Sequence, residues 1–155
     1  ISHIIDEIDS CFECVEIDLR NAGNDDWKRD IPSDPGWYLI KTNTPVNILK
    51  NLNLPQSECH INIPNTIEQT SQLGNLGITI NQLENKKLFV VYSGEAKNLK
   101  SRAREHAGGH EKTYCLCLDN YKEVLRDYTW LFCFVSVTKC KFFPDDINKN
   151  RGTLG

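Results

Sequence analysis

Residues 88–106 read LFVVYSGEAKNLKSRAREH, and this stretch predicts a strand, a turn and a helix in that order. The run from Leu88 to Tyr92 is apolar, β-branched and aromatic, which is typical of a strand. Gly94 then breaks the strand, because a residue without a Cβ lets the backbone turn or approach another group closely. A helix is predicted to begin after Asn98, a residue type that caps helix N-termini.

The predicted helix carries positive charge and a histidine. Arg102 and His106 are four residues apart, so their side chains project from the same helical face. Lys97, Lys100 and Arg104 add positive charge to the same short stretch. A strand that ends in a tyrosine, a glycine turn and a helix with arginine and histidine together indicate a phosphate-binding site.

A second motif lies upstream, where Gly36-Trp37-Tyr38 begins a strand predicted for residues 37–42. The two motifs, in this order, resemble those of the GIY-YIG nucleases. In that family a Gly-Ile-Tyr strand precedes a Tyr-x-Gly strand end, an Asn-Leu turn and a helix with an arginine and a histidine. Trp37 stands in the isoleucine position. The resemblance rests mainly on residues 36–41 and 88–106, with a weaker fit as far as residue 138.

The resemblance implies a DNA endonuclease that uses Mg²⁺ or Mn²⁺. Tyr38 would be the general base, and Tyr92 would orient water or phosphate. Arg102 would stabilise the phosphoryl oxygens, and His106 would hold the network or relay a proton. A tyrosine of ordinary pKa is a poor base at neutral pH, so Lys97 would supply part of the positive field it needs. Five further residues are predicted to bind or position the substrate: Gly36, Gly94, Asn98, Lys100 and Arg104.

The metal ligand is where the chain departs from the family. The resemblance implies a magnesium-binding glutamate on a helix after the third strand, yet no Glu or Asp follows Asp146. We expect that helix and its glutamate beyond Gly155, and expect the 155 residues alone to bind metal poorly and to cleave slowly or not at all. The alternative is a catalytically inactive nucleic-acid-binding module of the same fold.

The pattern of elements predicts a single α+β domain. Three antiparallel strands flanked by helices are expected, and the third is near-continuously apolar, which favours a central position. An N-terminal amphipathic helix and a long insertion, which we expect to contact nucleic acid, complete the domain. The ranges are 37–42, 88–92 and 129–138 for the strands, 2–20 for the helix within a helical extension 1–35, 116–128 for a later helix and 43–87 for the insertion.

Composition sets wider limits. The 39% hydrophobic content is enough for one core, and no apolar run is long enough to span a membrane. No signal peptide is visible, so we expect a cytoplasmic protein that does not bind membranes. The net charge of −3 counts mildly against a DNA-binding protein, although residues 97–104 are locally basic. Whether the protein is a monomer or a homodimer stays open.

The cysteines also indicate a cytoplasmic protein. Seven of them, an odd number at irregular spacing, predict reduced thiols in the cytoplasm rather than a disulfide framework. Cys115-x-Cys117 alternates with leucines and indicates buried packing. A zinc site made by this pair and Cys11-x-x-Cys14 remains the alternative if the two pairs meet in space.

Overall fold

Five antiparallel strands form one sheet in the computed structural model, which describes residues 11–55, 57–73, 82–83, 88–110 and 112–138. The three predicted strands are confirmed as its centre. The predicted three-stranded sheet is nevertheless too small, because a further strand pairs with each of its edges. In chain order the strands are β1 Glu13–Glu16, β2 Gly36–Thr42, β3 Gln82–Leu83, β4 Leu88–Ala96 and β5 Trp130–Ser136, and in space they run β1-β5-β2-β4-β3.

Short helices connect these strands. The insertion holds two of them, and the predicted Arg-His helix follows β4 directly. The predicted helix 116–128 is shorter, because a 3₁₀ turn forms its first half. The α-helices are α1 Val46–Lys50, α2 Ile63–Leu73, α3 Leu99–Gly108 and α4 Lys122–Leu125, and 3₁₀ turns cover Leu19–Asn21, Asp26–Lys28 and Leu118–Tyr121.

The predicted N-terminal helix is wrong for its described part. Residues 13–16 form β1, which pairs with β5 from Glu13 opposite Phe134 to Glu16 opposite Leu131. Residues 17–35 contain only two 3₁₀ turns where a helical extension is predicted. Pairing with the open edge of β5 outweighs the helical spacing of the apolar residues, since tertiary contacts override local propensity. Residues 1–10 lie outside the described part of the chain, as do the expected C-terminal helix and residues 139–155.

A disulfide joins the two strands at this edge. Cys14 and Cys133 are directly opposite each other in the β1–β5 register and are bonded, so the prediction that all thiols are reduced is wrong for this pair. Cys14 can therefore not serve a zinc site with Cys115 and Cys117. Within the described ranges, no group of three or more His, Cys, Asp or Glu side chains is placed to hold a metal ion.

The disulfide also removes one argument for a cytoplasmic location, which assumed that every thiol is reduced. The absence of an apolar run in the sequence has a counterpart in the fold. Among the helices described, none has both the length and the apolar character needed to cross a bilayer.

Helix α3 packs on the sheet through its small and apolar face. Leu99, Ala103 and Ala107 are almost completely buried there. The close approach depends on Gly36 in β2, because a Cβ at that position would collide with the Val135 carbonyl and lie 2.7 Å from a Leu99 methyl. The first glycine of the predicted motif thus lets the helix lie against the sheet.

We expect Cys14→Ser to lower the free energy of unfolding by about 2–5 kcal/mol, because the bond closes a long loop and restricts the unfolded chain. Urea unfolding of the wild-type protein and the variant measures the difference. Cys11→Ser, which changes a cysteine three residues away that is outside this disulfide, is the matched control. Equal stability of wild type and Cys14→Ser under oxidising conditions would contradict the prediction.

Candidate active site

The hydroxyl of Tyr38 is the centre of the candidate site. Tyr38 lies in β2 and pairs directly with Gly94 of β4, and only 2% of its surface is exposed. Its ring lies across the neighbouring strand at Gly94, where an added Cβ would come within 2.9 Å of the Tyr38 oxygen. The glycine of the second motif therefore makes room for the tyrosine of the first.

Two side chains of α3 converge on this hydroxyl. The Nε–H of Arg102 donates to the Tyr38 oxygen at 3.0 Å, and His106 Nε2 lies 2.9 Å from the same atom. The prediction that Arg102 and His106 project from one helical face is confirmed. These hydrogen bonds join the central strand of the sheet to the helix that covers it.

The tautomer of His106 follows from its second nitrogen. The backbone N–H of Leu116 donates to Nδ1 at 3.1 Å, so Nδ1 is an acceptor and carries no proton. Burial, reinforced by the positive charge of Arg102, lowers the pKa of His106 well below its ordinary value, so the ring is neutral. We therefore assign the ring proton to Nε2, which donates it to the Tyr38 oxygen.

The Tyr38 oxygen thus accepts two hydrogen bonds, and its own proton is directed to a third position. Burial raises the pKa of Tyr38 to about 12, with the charge and hydrogen bond of Arg102 opposing the rise. At neutral pH Tyr38 is therefore a phenol. Both N–H donors would stabilise the phenolate once that proton is lost.

Arg102 is anchored at three points. Besides the bond to Tyr38, Nη1 pairs with the Glu105 carboxylate at 3.0 Å and Nη2 donates to the Tyr114 carbonyl at 2.7 Å. A guanidinium has five N–H groups. These three groups are the hydrogen-bond acceptors of Arg102 among the described residues. One N–H therefore remains unused on each of the two terminal nitrogens. The side chain is 15% exposed.

Tyr92 completes the aromatic part of the site. Its ring centroid lies 6.2 Å from that of Tyr38 and 4.9 Å from that of His106, and the side chain is half-buried. The two tyrosine rings therefore lie side by side. The pairing register explains it, since Tyr92 is opposite Ile40 and so lies on the same face of the sheet as Tyr38.

Asn98 has a structural role at the start of α3. Its side-chain oxygen accepts a hydrogen bond from the backbone N–H of Ser101 at 2.9 Å, so the predicted N-terminal cap is confirmed. Lys97 lies exposed in the preceding turn, and the hydrogen bonds described for Tyr38 and Arg102 do not include it. The cap fixes where the helix begins and thus the direction in which Arg102 points.

Lys100 and Arg104 do not join Arg102. At 100° per residue they project from the opposite side of α3. There they lie near Asp25, whose pKa is lowered first by its hydrogen bond and ion pair with Lys28 and further by the charges of Arg104 and Lys100. The locally basic stretch 97–104 is therefore divided between two sides of the helix.

Glu105 and Tyr114 are residues of the site that the sequence analysis did not identify. Glu105 had a usable signal, because acidic and basic side chains three residues apart on a helix can pair. Tyr114 had none, since its contact depends on the way the chain after α3 folds back to the helix. The expected metal-binding glutamate falls outside the described residues.

No protein-family model, curated protein or solved structure matches the chain. The functional argument therefore depends on the geometry around Tyr38.

We expect Gly94→Ala to displace the Tyr38 ring, because the new methyl group would lie 2.9 Å from the hydroxyl oxygen. The free energy of unfolding should fall by about 1–3 kcal/mol, as for other overpacked sites. Thermal or urea unfolding measures it. Gly108→Ala, where an added Cβ meets no atom within 4 Å, is the control and should leave stability unchanged or slightly raised. Equal behaviour of the two variants would exclude the close contact.

The lowered pKa of His106 predicts that the protein loses stability in acid. Its pKa is lower in the folded than in the unfolded protein, so the unfolded state takes up a proton first as the pH falls. The contribution of His106 to stability is fully present above about pH 6.5. Below that pH the free energy of unfolding falls by up to ~1.4 kcal/mol per pH unit. Urea unfolding from pH 7.5 to 5 tests this. His106→Gln should be less stable overall but lack this component, and an unchanged pH dependence would assign it to another group.

Proposed function

We propose that the protein is a divalent-metal-dependent endonuclease of the GIY-YIG type that hydrolyses DNA phosphodiester bonds. One observation carries the proposal: Arg102 and His106, on one face of α3, both donate hydrogen bonds to the buried hydroxyl of Tyr38. A phenol held by a guanidinium and a neutral imidazole is suited to proton transfer beside a bound phosphate.

Arg102 supplies the phosphate-binding function. Its two remaining N–H groups, one on each terminal nitrogen, can donate to two phosphoryl oxygens and so stabilise the charge that develops in the transition state. Glu105 and the Tyr114 carbonyl fix the guanidinium plane before substrate arrives. Such preorganisation avoids the cost of orienting a long side chain during the reaction.

Tyr38 is proposed as the base that accepts the proton of the attacking water. Holding a phenol of pKa about 12 in its ionised form at pH 8 costs about 5 kcal/mol, so the reaction should proceed faster as the pH rises. His106 is a positioning residue: it holds the phenol oxygen and stabilises the phenolate. Tyr92, beside both rings, is placed to orient water or phosphate.

The metal has no complete ligand set in the described part of the chain. Glu105 is a carboxylate of the site, but it pairs with Arg102. Among the described residues, it belongs to no group of three side chains that could hold a metal ion. No step is therefore assigned to the metal. Mg²⁺ or Mn²⁺ would lower the charge on the phosphoryl group when bound, and we propose that its protein carboxylate lies beyond Gly155.

The second candidate function is a nucleic-acid-binding module without catalysis. The three internal bonds of Arg102 favour it, because a guanidinium used to join Tyr38, Glu105 and Tyr114 also stabilises the fold. DNA would be the partner in both cases, and Lys97 is proposed as a phosphate contact, whereas Lys100 and Arg104 project away from Arg102. The proposed location is the cytoplasm in both cases. A nicking assay separates the two candidates.

We expect Arg102→Ala and Tyr38→Phe each to reduce plasmid nicking in Mg²⁺ or Mn²⁺ by ~10²-fold or more, since each removes a preorganised group at the reacting phosphate. Tyr38→Phe keeps the ring and should retain DNA affinity, whereas Arg102→Ala should weaken it. Arg126→Ala, which removes an exposed arginine paired with Glu123, is the matched control.

Circular dichroism must show that the variants are folded. Full activity in either site variant would exclude its assigned role. If the folded wild-type protein binds DNA but does not nick it, with and without a C-terminal extension of the chain, the non-catalytic module is the correct reading.

A further inference from the structure

Tyr114 presents an exposed aromatic ring immediately beside Arg102. The residue is 54% exposed, although its backbone carbonyl accepts the 2.7 Å hydrogen bond from Arg102 Nη2. Single exposed aromatic residues are common on protein surfaces and need no explanation by themselves. This one differs because its backbone is bonded to the guanidinium proposed to hold the phosphate.

The backbone on both sides of Tyr114 is also fixed. Before it, the N–H groups of Lys112 and Thr113 both donate to His110 Nδ1 at 3.0 Å. After it, Cys115 joins the segment at residues 59–61 through two backbone hydrogen bonds of 3.0 and 2.8 Å. The ring therefore extends into solvent from a preorganised backbone, and a ligand that covers it pays little for ordering the loop.

The two groups are adjacent, because the Tyr114 carbonyl accepts a hydrogen bond from Arg102 Nη2. A nucleotide whose phosphate binds Arg102 would therefore have its base within reach of Tyr114. Lys112, exposed two residues earlier, adds positive charge beside it for the next phosphate.

We propose that Tyr114 is a base-stacking residue, which binds an unpaired base next to the phosphate held by Arg102. This rests on the proposed function and extends it to the kind of substrate. Stacking on an aromatic ring tolerates any base but requires an open face, which a base inside a duplex does not offer. The site therefore binds single-stranded or locally unpaired DNA more tightly than continuous duplex.

The test compares single-stranded and blunt-ended duplex oligonucleotides, with binding measured by fluorescence anisotropy without divalent metal. Tyr114→Ala should bind the single strand roughly 5- to 150-fold more weakly, and the duplex should lose less. Tyr114→Phe keeps the ring and should bind as the wild-type protein does. Val124→Ala removes an equally exposed apolar side chain on α4 and should have no effect.

A second measurement reports stacking directly. A single strand containing 2-aminopurine should lose fluorescence on binding wild-type protein and Tyr114→Phe, but retain it with Tyr114→Ala. Unchanged single-strand affinity in Tyr114→Ala, or an equal loss on duplex, would overturn the inference while leaving nicking by the wild-type protein intact. A loss in Tyr114→Phe as large as in Tyr114→Ala would also overturn it. A wild-type protein that neither binds nor nicks DNA would overturn the proposed function itself.

Discussion

The buried hydroxyl of Tyr38 is the constraint on which the rest of the site depends. A hydroxyl removed from water without partners destabilises a fold, so its place in the core requires donors from the element that covers the sheet. Arg102 and His106 supply them from successive turns of α3. The same two bonds therefore fix the helix on the sheet and create the proposed reaction centre.

The surrounding residues leave room for these side chains or hold them in place by hydrogen bonds. Gly36 lets α3 approach β2, and Gly94 leaves room for the phenol ring. Glu105 and the segment after α3 hold the guanidinium and the imidazole from the other side, through a carboxylate and two backbone groups. The buried hydroxyl of Tyr38 is thus satisfied by two donors that are themselves held by other groups. Buried polar networks that are satisfied in this way favour a unique structure.

At the β1 edge of the sheet, long-range strand pairing overrides the local sequence pattern. The apolar spacing at the start of the chain fits a helix, yet residues 13–16 pair with β5 and Cys14 bonds to Cys133. Neither partner is close in sequence, so local pattern cannot reveal the pairing. An open strand edge offers a row of unpaired backbone groups, and closing it gains more than a marginal helix provides.

The sequence by itself determined the three central strands, the Arg-His helix with its Asn98 cap, and the shared helical face of Arg102 and His106. These follow from short-range rules, because strand alternation, helical periodicity and capping act over a few residues. Only the tertiary structure decided the state of His106, the anchoring of Arg102 and the division of the basic residues between two faces of α3. Each of these depends on burial or on groups distant in the chain, and desolvation and long-range contact leave no local pattern.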